Sequence, residues 1–284
     1  MIQKNRPGLT EITKRGNKLA RLFECESSSV HYLSILEGNT CGRVYVNNPS
    51  TPTLAVIFSH SLGGFQLMGR PLVSPDEYAA FRIAFQFDII PHLLIPSGIR
   101  ELSYSADSDE LMDMMRIAFF DKEMFEQEQR VYVFDGDSDA VSSVTTEFPC
   151  IKANKAFSDQ NPFFLENFSD ELSLSYQPLQ KFFTHGLAYI ALDNSVAGEP
   201  KIIGNIISGG HYKNQFILGA DTSESYRRKG ICSSLLSLAA IDAKKNHFNL
   251  VWECATDNVP SVKTVEKCGF RLKAVFPVRW FVLQ

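Results

Sequence analysis

The stretch that decides the fold is DTSESYRRKGICSS, residues 221–234. Its first two residues end a run from Gln215 to Thr222 that is rich in apolar residues and is typical of a β-strand. After it, the spacing predicts a helix from about Gly230 to Asn246, with one apolar face formed by Ile231, Leu235, Leu238 and Ala239. The sequence therefore predicts a strand that leads through a basic, glycine-containing turn into a helix.

Such a turn is suited to hold a phosphate group. The first amides of a helix have no intrahelical partner and lie at its positive end, so they can donate hydrogen bonds to an anion. Gly230 permits close approach of the backbone, and Arg227, Arg228 and Lys229 add local positive charge. The turn alone leaves open the alternative of a surface loop whose basic side chains are only solvated.

The pattern continues on both sides of this turn. Before it we predict strands over Leu187 to Asp193 and Lys201 to Ser208, separated by a turn at 194–200. After it we predict a strand from Asn249 to Ala255 and a helix from Asn258 to Cys268, which Gly269 ends. The final predicted strand is half-buried and buries alternate apolar residues, namely Phe270, Leu272, Ala274 and Phe276.

Two motifs in this order carry a resemblance to a known family. Arg227, Gly230 and Cys232 occupy the defining places of R-x-x-G-x-(small), and N-x-x-S at Asn258 and Ser261 opens the next helix. Residues 182–283, and more loosely the whole chain, resemble the GNAT superfamily of acyl-CoA-dependent N-acyltransferases, in particular a bacterial subgroup with an N-terminal extension domain. Cys232 stands where that family usually has Gly or Ala, which strains the approach of the pyrophosphate.

The resemblance implies a fold, a co-substrate and a set of binding residues. The fold would be α+β, with a mixed, mostly antiparallel GNAT-like sheet and flanking helices in the C-terminal half. Acetyl-CoA or another acyl-CoA would be the co-substrate, with no metal. Its pantetheine arm would pair with the strand near Ala220 and Thr222, which diverges from the strand of Trp252. Its pyrophosphate would lie beside Arg227 and the amides of Arg228, Lys229, Gly230, Ile231, Cys232 and Ser233, and Asn258 and Ser261 would face the pantetheine or phosphate region.

Catalysis would require the acceptor amine to lose a proton before it attacks the thioester. Glu253 is our candidate for the base, followed by Asp221 and His211; the alternative is that Glu253 is a strand carboxylate paired with a lysine. Alternation along the strand places Glu253 on the face of Val251 and Ala255. The tyrosine that often serves this family as general acid is replaced by Val265, and Cys254 is expected to be a packing residue.

The first half of the chain predicts a smaller mixed α/β domain. Its elements are a hairpin over 42–47 and 53–60, a helix from Ser74 to about Phe87, and a helix over 107–121 with a buried methionine stripe. The polar stretch between Phe134 and Thr146 is the expected boundary, which gives domains of 1–135 and 136–284. The resemblance implies that the first domain is acceptor-side or a degenerate GNAT-like sheet, and that the second is catalytic.

Two other motifs point to different chemistry and are weaker. DGDSDAVSSVTT at 135–146 lacks the glycine and glutamate that an EF-hand loop needs, so no calcium site is expected. SHSLGG at 59–64 is similar to the nucleophile elbow of esterases, with Ser61, an acid, and His185 or His211 as the imagined triad. Ser59 replaces the first glycine of that motif, and the glycines and proline that follow are poor helix formers.

Composition excludes several classes of function. Among 284 residues, 28 Lys and Arg against 32 Asp and Glu give a net charge of −4, the wrong sign for gripping nucleic acid by bulk charge. The six cysteines lack metal-ligand spacing and are expected to be reduced thiols in a cytoplasm. The basic first residues contain no apolar run of signal-peptide or membrane-span length, so a solvated first helix is expected.

The sequence thus predicts an enzyme that acylates an amine on a small molecule or peptide, with neither nucleic acid nor membrane as partner. A protein that binds CoA without transferring anything, as a sensor or scaffold, is the alternative. The acceptor and the oligomeric state stay open, a homodimer included.

Overall fold

The computed structural model describes residues 8–136, 145–195 and 200–283 and has the predicted α+β fold with a mostly antiparallel sheet. These residues form two compact units. The first contains the described residues up to Glu128 together with those from Phe276 onward, and the second is Gln129–Val275. The polar stretch at 135–146, where no calcium site was expected, and the predicted turn at 194–200 lie partly outside the described residues.

The strands of the described residues are β1 (Thr10–Ile12), β2 (Arg43–Val46), β3 (Leu54–Phe58), β4 (Phe65–Gly69), β5 (Glu101–Ala106), β6 (Phe125–Phe134), β7 (Cys150–Lys152), β8 (Ala188–Asp193), β9 (Lys201–Tyr212), β10 (Gln215–Thr222), β11 (Asn249–Ala255) and β12 (Arg271–Val282). The α-helices are α1 (Asn17–Phe23), α2 (Val30–Glu37), α3 (Pro75–Ala84), α4 (Asp109–Ala118), α5 (Lys155–Gln160), α6 (Phe163–Ser175), α7 (Phe182–His185), α8 (Ile231–Asn246) and α9 (Val259–Lys267).

The second unit has the strand order β6-β11-β10-β9-β8-β7, in which only β10 and β11 are parallel. Both of these strands have the predicted bounds, and α8 begins one residue after Gly230. Helices α8 and α9 pack on the face of Leu218 and Trp252. Helix α6 packs on the opposite face through Phe168 and Leu172, against Ile207 of β9. The C-terminal elements predicted from the sequence are therefore present in the predicted order.

Two details of the second unit differ from expectation. Strand β9 runs to Tyr212 rather than ending at Ser208. Strand β12 continues to Val282, beyond the predicted end at Phe276, and Leu272 is 51% exposed rather than buried. Strand alternation predicted the extended backbone of this segment but not which of its residues are covered.

The first unit has the order β1-β2-β3-β4-β5, and the last residues of β12 add a further antiparallel strand beside β5. The predicted hairpin is β2 and β3, and the methionine stripe of α4 is fully buried at Met114 and Met115. Helix α3 ends at Ala84 and continues as a π-helical segment to Leu94. The units differ in their bounds from the predicted domains, 1–135 and 136–284, because residues 276–283 complete the sheet of the first unit.

The SHSLGG motif forms a hairpin turn, which overturns the esterase-like reading. Strand β3 is antiparallel to β4, so the serines are followed by a strand and not by the helix that a nucleophile elbow requires. The imidazole next to them is His31 of α2, not His185 or His211. Its Nε2 lies 2.7 Å from Ser59 Oγ and 3.3 Å from Ser61 Oγ.

Burial of His31 makes the first unit sensitive to acid. Burial lowers the pKa of His31 from 6.5 to about 4. The unfolded chain therefore binds more protons than the folded chain between these values, and stability falls as the pH falls. We expect this one residue to remove about 2 kcal/mol of the free energy of unfolding between pH 7 and pH 5.

The measurement is urea unfolding at both pH values for the wild type and for His31→Gln, which retains a hydrogen-bond acceptor but does not titrate. The difference between pH 7 and pH 5 should shrink in the variant. An equal pH dependence in both proteins would contradict the effect of His31.

Candidate functional site

The second unit opens a cleft where its two parallel strands diverge. Their pairing covers Gln215–Leu218 against 249–252 and ends at Leu218 and Trp252. Beyond this point β10 stays paired with β9 as far as Thr222, and β11 stays paired with β6 as far as Ala255. Each strand thus keeps its outer neighbour while losing the inner one, and the end of this pairing agrees with the divergence that the family resemblance implied.

A β-bulge lies at the point of divergence. Ile217 is opposite Gly210, but the next residue, Leu218, is opposite Ser208, so Gly209 is the extra residue of β9. A bulge bends its strand and increases the local twist. It therefore bends β9 at the point where β10, its partner, stops pairing with β11. Ala220 is exposed and Thr222 is half-buried on this diverging segment.

The turn that follows β10 presents the start of α8. Gly230 has φ +77° and precedes the helix, and no side chain caps its first amides. The backbone of Arg228 is also left-handed, with φ +63°, while the Arg227 side chain donates from Nε to the carbonyl of Thr222 at 3.2 Å. The amides of Ile231, Cys232 and Ser233 lie in the first turn and have no intrahelical acceptor, so they can donate hydrogen bonds to a phosphate.

Gly204 of β9 fixes the position of this helix start, a residue that the sequence analysis missed. A Cβ atom there would lie 2.7 Å from Cγ2 of Ile231, which is too close for real atoms. Only glycine therefore allows the first turn of α8 to lie this near the sheet. The glycine lies inside a strand pattern, which could have signalled a close approach.

A cavity of about 730 Å³ lies on one side of the same turn. The Tyr226 hydroxyl donates to Asp193 at 2.7 Å, and Lys229 Nζ lies 5.0 Å from the centre of the Tyr226 ring and 5.6 Å from that of Phe148. Hydrogen bonds from Ser195 and Tyr226 lower the pKa of Asp193 to about 2. Lys229 is thus held by aromatic rings next to the turn, a grouping that no sequence pattern indicated.

Asn258 and Ser261 have contacts of their own within α9. Asn258 is exposed and caps the helix, its Oδ1 accepting from the Ser261 amide at 3.2 Å. The Ser261 hydroxyl accepts from Nε1 of Trp252 at 2.9 Å. Both residues therefore secure α9 behind the end of β11, and their predicted contact with a bound co-substrate stays a prediction.

The cysteines near the cleft are not poised as nucleophiles. Two effects raise the pKa of Cys232 to about 12, first its burial and second its interaction with the nearby Cys268. Cys232 is therefore a protonated thiol at neutral pH. Cys254 is buried in the core beneath the helices, as expected for a packing residue. Cys232, which follows the turn, is half-buried and packs against the same core.

Carboxylates lie on the α6 face of the cleft. Strand alternation puts Glu253 and Asp221 on the face opposite Trp252 and Leu218, which is the face that α6 covers. Glu253 is half-buried and Asp221 is exposed. The α6 residue Glu171 was missed by the sequence analysis. Its pKa is raised, first by burial and second by the charge of Asp221.

The histidine that was considered as a base lies elsewhere. His211 pairs with Phe216 at the closed end of β10, and the two rings stack with centroids 4.3 Å apart. Phe216 packs against the core under α8, which places His211 on the face away from Glu253. Of the candidates from the sequence, Glu253 and Asp221 are therefore the ones that share a face at the open end of the strands.

No side chains in the described ranges suggest a metal centre or a membrane span. His, Cys, Asp and Glu residues there form no group of three or more that could hold a metal ion. The helices of these ranges are too short or too polar to cross a bilayer.

Comparison with known proteins identifies the fold. A family model described as GNAT acetyltransferase matches residues 20–278. The structure is similar to that of a GCN5-related N-acetyltransferase-like protein from Streptococcus suis, with a TM-score of 0.62, 18% identity, and coverage of 93% of this chain and 97% of that one. Comparison with curated protein sequences found no match.

Two further solved structures have the same fold. One is a tandem GNAT protein from the clavulanic acid biosynthesis pathway, with a TM-score of 0.58, 10% identity, and coverage of 96% and 98% of the two chains. The other is a GCN5-related N-acetyltransferase from Sphaerobacter thermophilus, with a TM-score of 0.57, 9% identity, and coverage of 85% and 80%. At these identities the likeness establishes the fold alone.

The Asn258 cap provides a test of its structural role. We expect Asn258→Ala to lower the free energy of unfolding by about 1 kcal/mol, because the Ser261 amide loses its acceptor. Asn258→Asp retains the acceptor and should restore most of that loss. Urea unfolding of the three proteins measures both changes, and equal stability of Asn258→Ala and the wild type would contradict the cap.

Proposed function

Because the chain belongs to the GNAT acetyltransferase family, we propose that it transfers an acyl group, acetyl in the first instance, from acyl-CoA to an amine acceptor. One observation carries this proposal: the opening between β10 and β11 lies directly before an uncapped helix start at Gly230. An extended thioester arm and a diphosphate need these two features next to each other.

We place the co-substrate along β10 and the turn after it. The strand edge at Ala220 and Thr222, which faces the opening, can accept the pantetheine arm as a β-strand partner would. The first amides of α8 can donate to the pyrophosphate, and the exposed Arg228 and Lys229 add positive charge to this turn. The co-substrate supplies the activated thioester, and the protein orients it.

The first unit has the same order of strands and helices as the second unit. In the first unit, however, a carboxylate of the chain itself occupies the start of the helix. Parallel strands β4 and β5 are joined through α3, and α4 follows β5. At the start of α3, however, Oε2 of Glu77 accepts from the amides of Val73 and Ser74 at 3.2 and 3.0 Å, and Pro75 has no amide hydrogen. The carboxylate would repel a phosphate there. We therefore infer that one acyl-CoA binds per chain, in the second unit.

The acceptor would enter on the α6 face. An amine is protonated at neutral pH and must lose a proton to attack a carbonyl carbon. Glu253 lies on that face where the strands part, and we assign it the role of base, directly or through water. Asp221 and Glu171 lie on the same side and would attract a cationic acceptor.

The co-substrate site is tested by adding a charge at Gly230. We expect Gly230→Glu to bind acetyl-CoA at least tenfold more weakly than Gly230→Gln, because both side chains strain the left-handed backbone equally but only one repels phosphate. Isothermal calorimetry gives both affinities, and the wild type should bind one molecule per chain. Equal affinities in the two folded variants, or two equivalents bound by the wild type, would contradict the placement.

The base is tested by kinetics. Glu253→Gln should leave acetyl-CoA affinity intact, lower kcat by about two to four orders of magnitude, and remove the acidic limb of the pH-rate profile. Glu171→Gln should instead raise the KM of a cationic acceptor, and Glu166→Gln, on the same helix, serves as its control.

The assay is thiol release from acetyl-CoA against polyamines, amino acids, aminoglycosides and peptides. Near-normal turnover of Glu253→Gln at every pH would show that Glu253 is structural. Binding of acetyl-CoA without thiol release across the whole panel would favour the sensor or scaffold alternative over the enzyme.

A further inference from the structure

A second cavity lies within the first unit, at the carboxyl ends of its parallel strands. Its volume is about 680 Å³, the size of a small-ligand pocket. Gly69 and Arg70, where β4 ends, line one part, and Asp107 and Ser108, which follow β5, line another. In open α/β sheets, ligands bind in the crevice outside the carboxyl ends of the strands. Strands β4 and β5 are a parallel pair within a mostly antiparallel sheet, so this position is compatible with a binding site and the lining must specify the ligand.

The cavity contains a carboxyl group that two neighbouring side chains hold in place, one of them buried. Oδ1 of Asp107 accepts from Nε2 of Gln66 at 3.1 Å, and Oδ2 accepts from the Ser28 hydroxyl at 3.3 Å. Gln66 is only 3% exposed, and its Oε1 is buried with no hydrogen-bond partner in the described part of the chain. An unmet buried carbonyl costs free energy. The Gln66 side chain thus uses its amide hydrogen for Asp107 while its carbonyl oxygen stays unpartnered.

The charges of the lining select the kind of ligand. Three of its side chains are carboxylic acids, Glu24, Glu26 and Asp107, and one is a guanidinium, Arg70. We propose that this cavity binds a small organic cation with a primary ammonium group, which pairs with the Asp107 carboxylate. The site is separate from the proposed co-substrate site, and its test does not depend on acyl transfer.

A cationic ligand would offset the cost of burying the charged Asp107 carboxylate. Burial raises the pKa of Asp107 to about 6, and hydrogen bonds from Cys25 and Ser28 offset this only in part. An ammonium ion stabilises the charged carboxylate, so binding should weaken as the pH falls below about 6. The other titratable or charged groups of the lining are Cys25, Glu24, Glu26 and Arg70.

Cys25 provides a local reporter of occupancy. It lines the cavity and is exposed, whereas the other five cysteines are half-buried or buried. Its Sγ lies 3.2 Å from the Ser28 hydroxyl that bonds Asp107. A ligand bound at Asp107 would therefore shield this thiol from alkylation.

The experiment measures alkylation of Cys25 in the full chain by iodoacetamide, mapped by mass spectrometry. At neutral pH, 1,4-diaminobutane should slow the modification several-fold. The uncharged isostere 1,4-butanediol and the dianion succinate should not. No protection by the diamine, or equal protection by butanediol or succinate, would overturn the proposal.

Variants assign the effect to the carboxyl group. Asp107→Asn should abolish protection, whereas Asp109→Asn, an exposed acid in the first turn of α4, should retain it. If Asp107→Asn fails to fold by circular dichroism, the exposed Glu26→Gln decides, and its protection should be measurably weaker than that of the wild type. Protection unchanged in the folded Asp107→Asn protein, or in Glu26→Gln where that variant decides, would overturn the assignment.

Discussion

The candidate site depends on one constraint: the parallel pairing of β10 and β11 ends after Leu218 and Trp252 while both strands continue. Two strands can separate in the middle of a sheet only if each keeps a partner on its other side, because an unpaired buried backbone is costly. Strands β9 and β6 provide those partners as far as Thr222 and Ala255. The bulge at Gly209 supplies the bend, and Gly204 lets the next helix begin close to the end of β10.

The two units show how capping decides what a helix start can bind. Each unit has a strand, a turn, a helix and a parallel strand in the same order, but the turns carry different residues. SPDE at 74–77 forms a capping box, which satisfies the first amides of α3 from within the chain. RRKG at 227–230 contains no capping side chain, and the amides of α8 remain available. The same secondary structure therefore leaves the helix start uncapped in one unit and caps it from within the chain in the other.

Local patterns explain why so much of the second unit could be predicted. Strand β10, helix α8 and strand β11 are set by apolar spacing and by Gly230, which are properties of a short window of sequence. Helix α9 begins directly after Asn258, where the helix was predicted to start, because the signals for a helix start lie within a few residues of it. The return of the last strand to the first unit could not be predicted, since Arg279–Val282 pair with β5, which lies far away in sequence. For the same reason the sequence did not place His31 next to Ser59 and Ser61.

The sequence predicts on which face of the sheet a strand residue lies, but not which residues of a covering helix lie over that face. Alternation gave the side of Glu253 once Trp252 was known to pack under α9, and the Ser261 bond to the indole fixes that choice. Glu171 could not be found in this way, because its position depends on how α6 lies across the sheet. Glu171 on α6 and Asp221 on β10 come near each other only when the helix packs on the sheet. The raised pKa of Glu171, with Asp221 among its causes, is the physical sign that packing has done so.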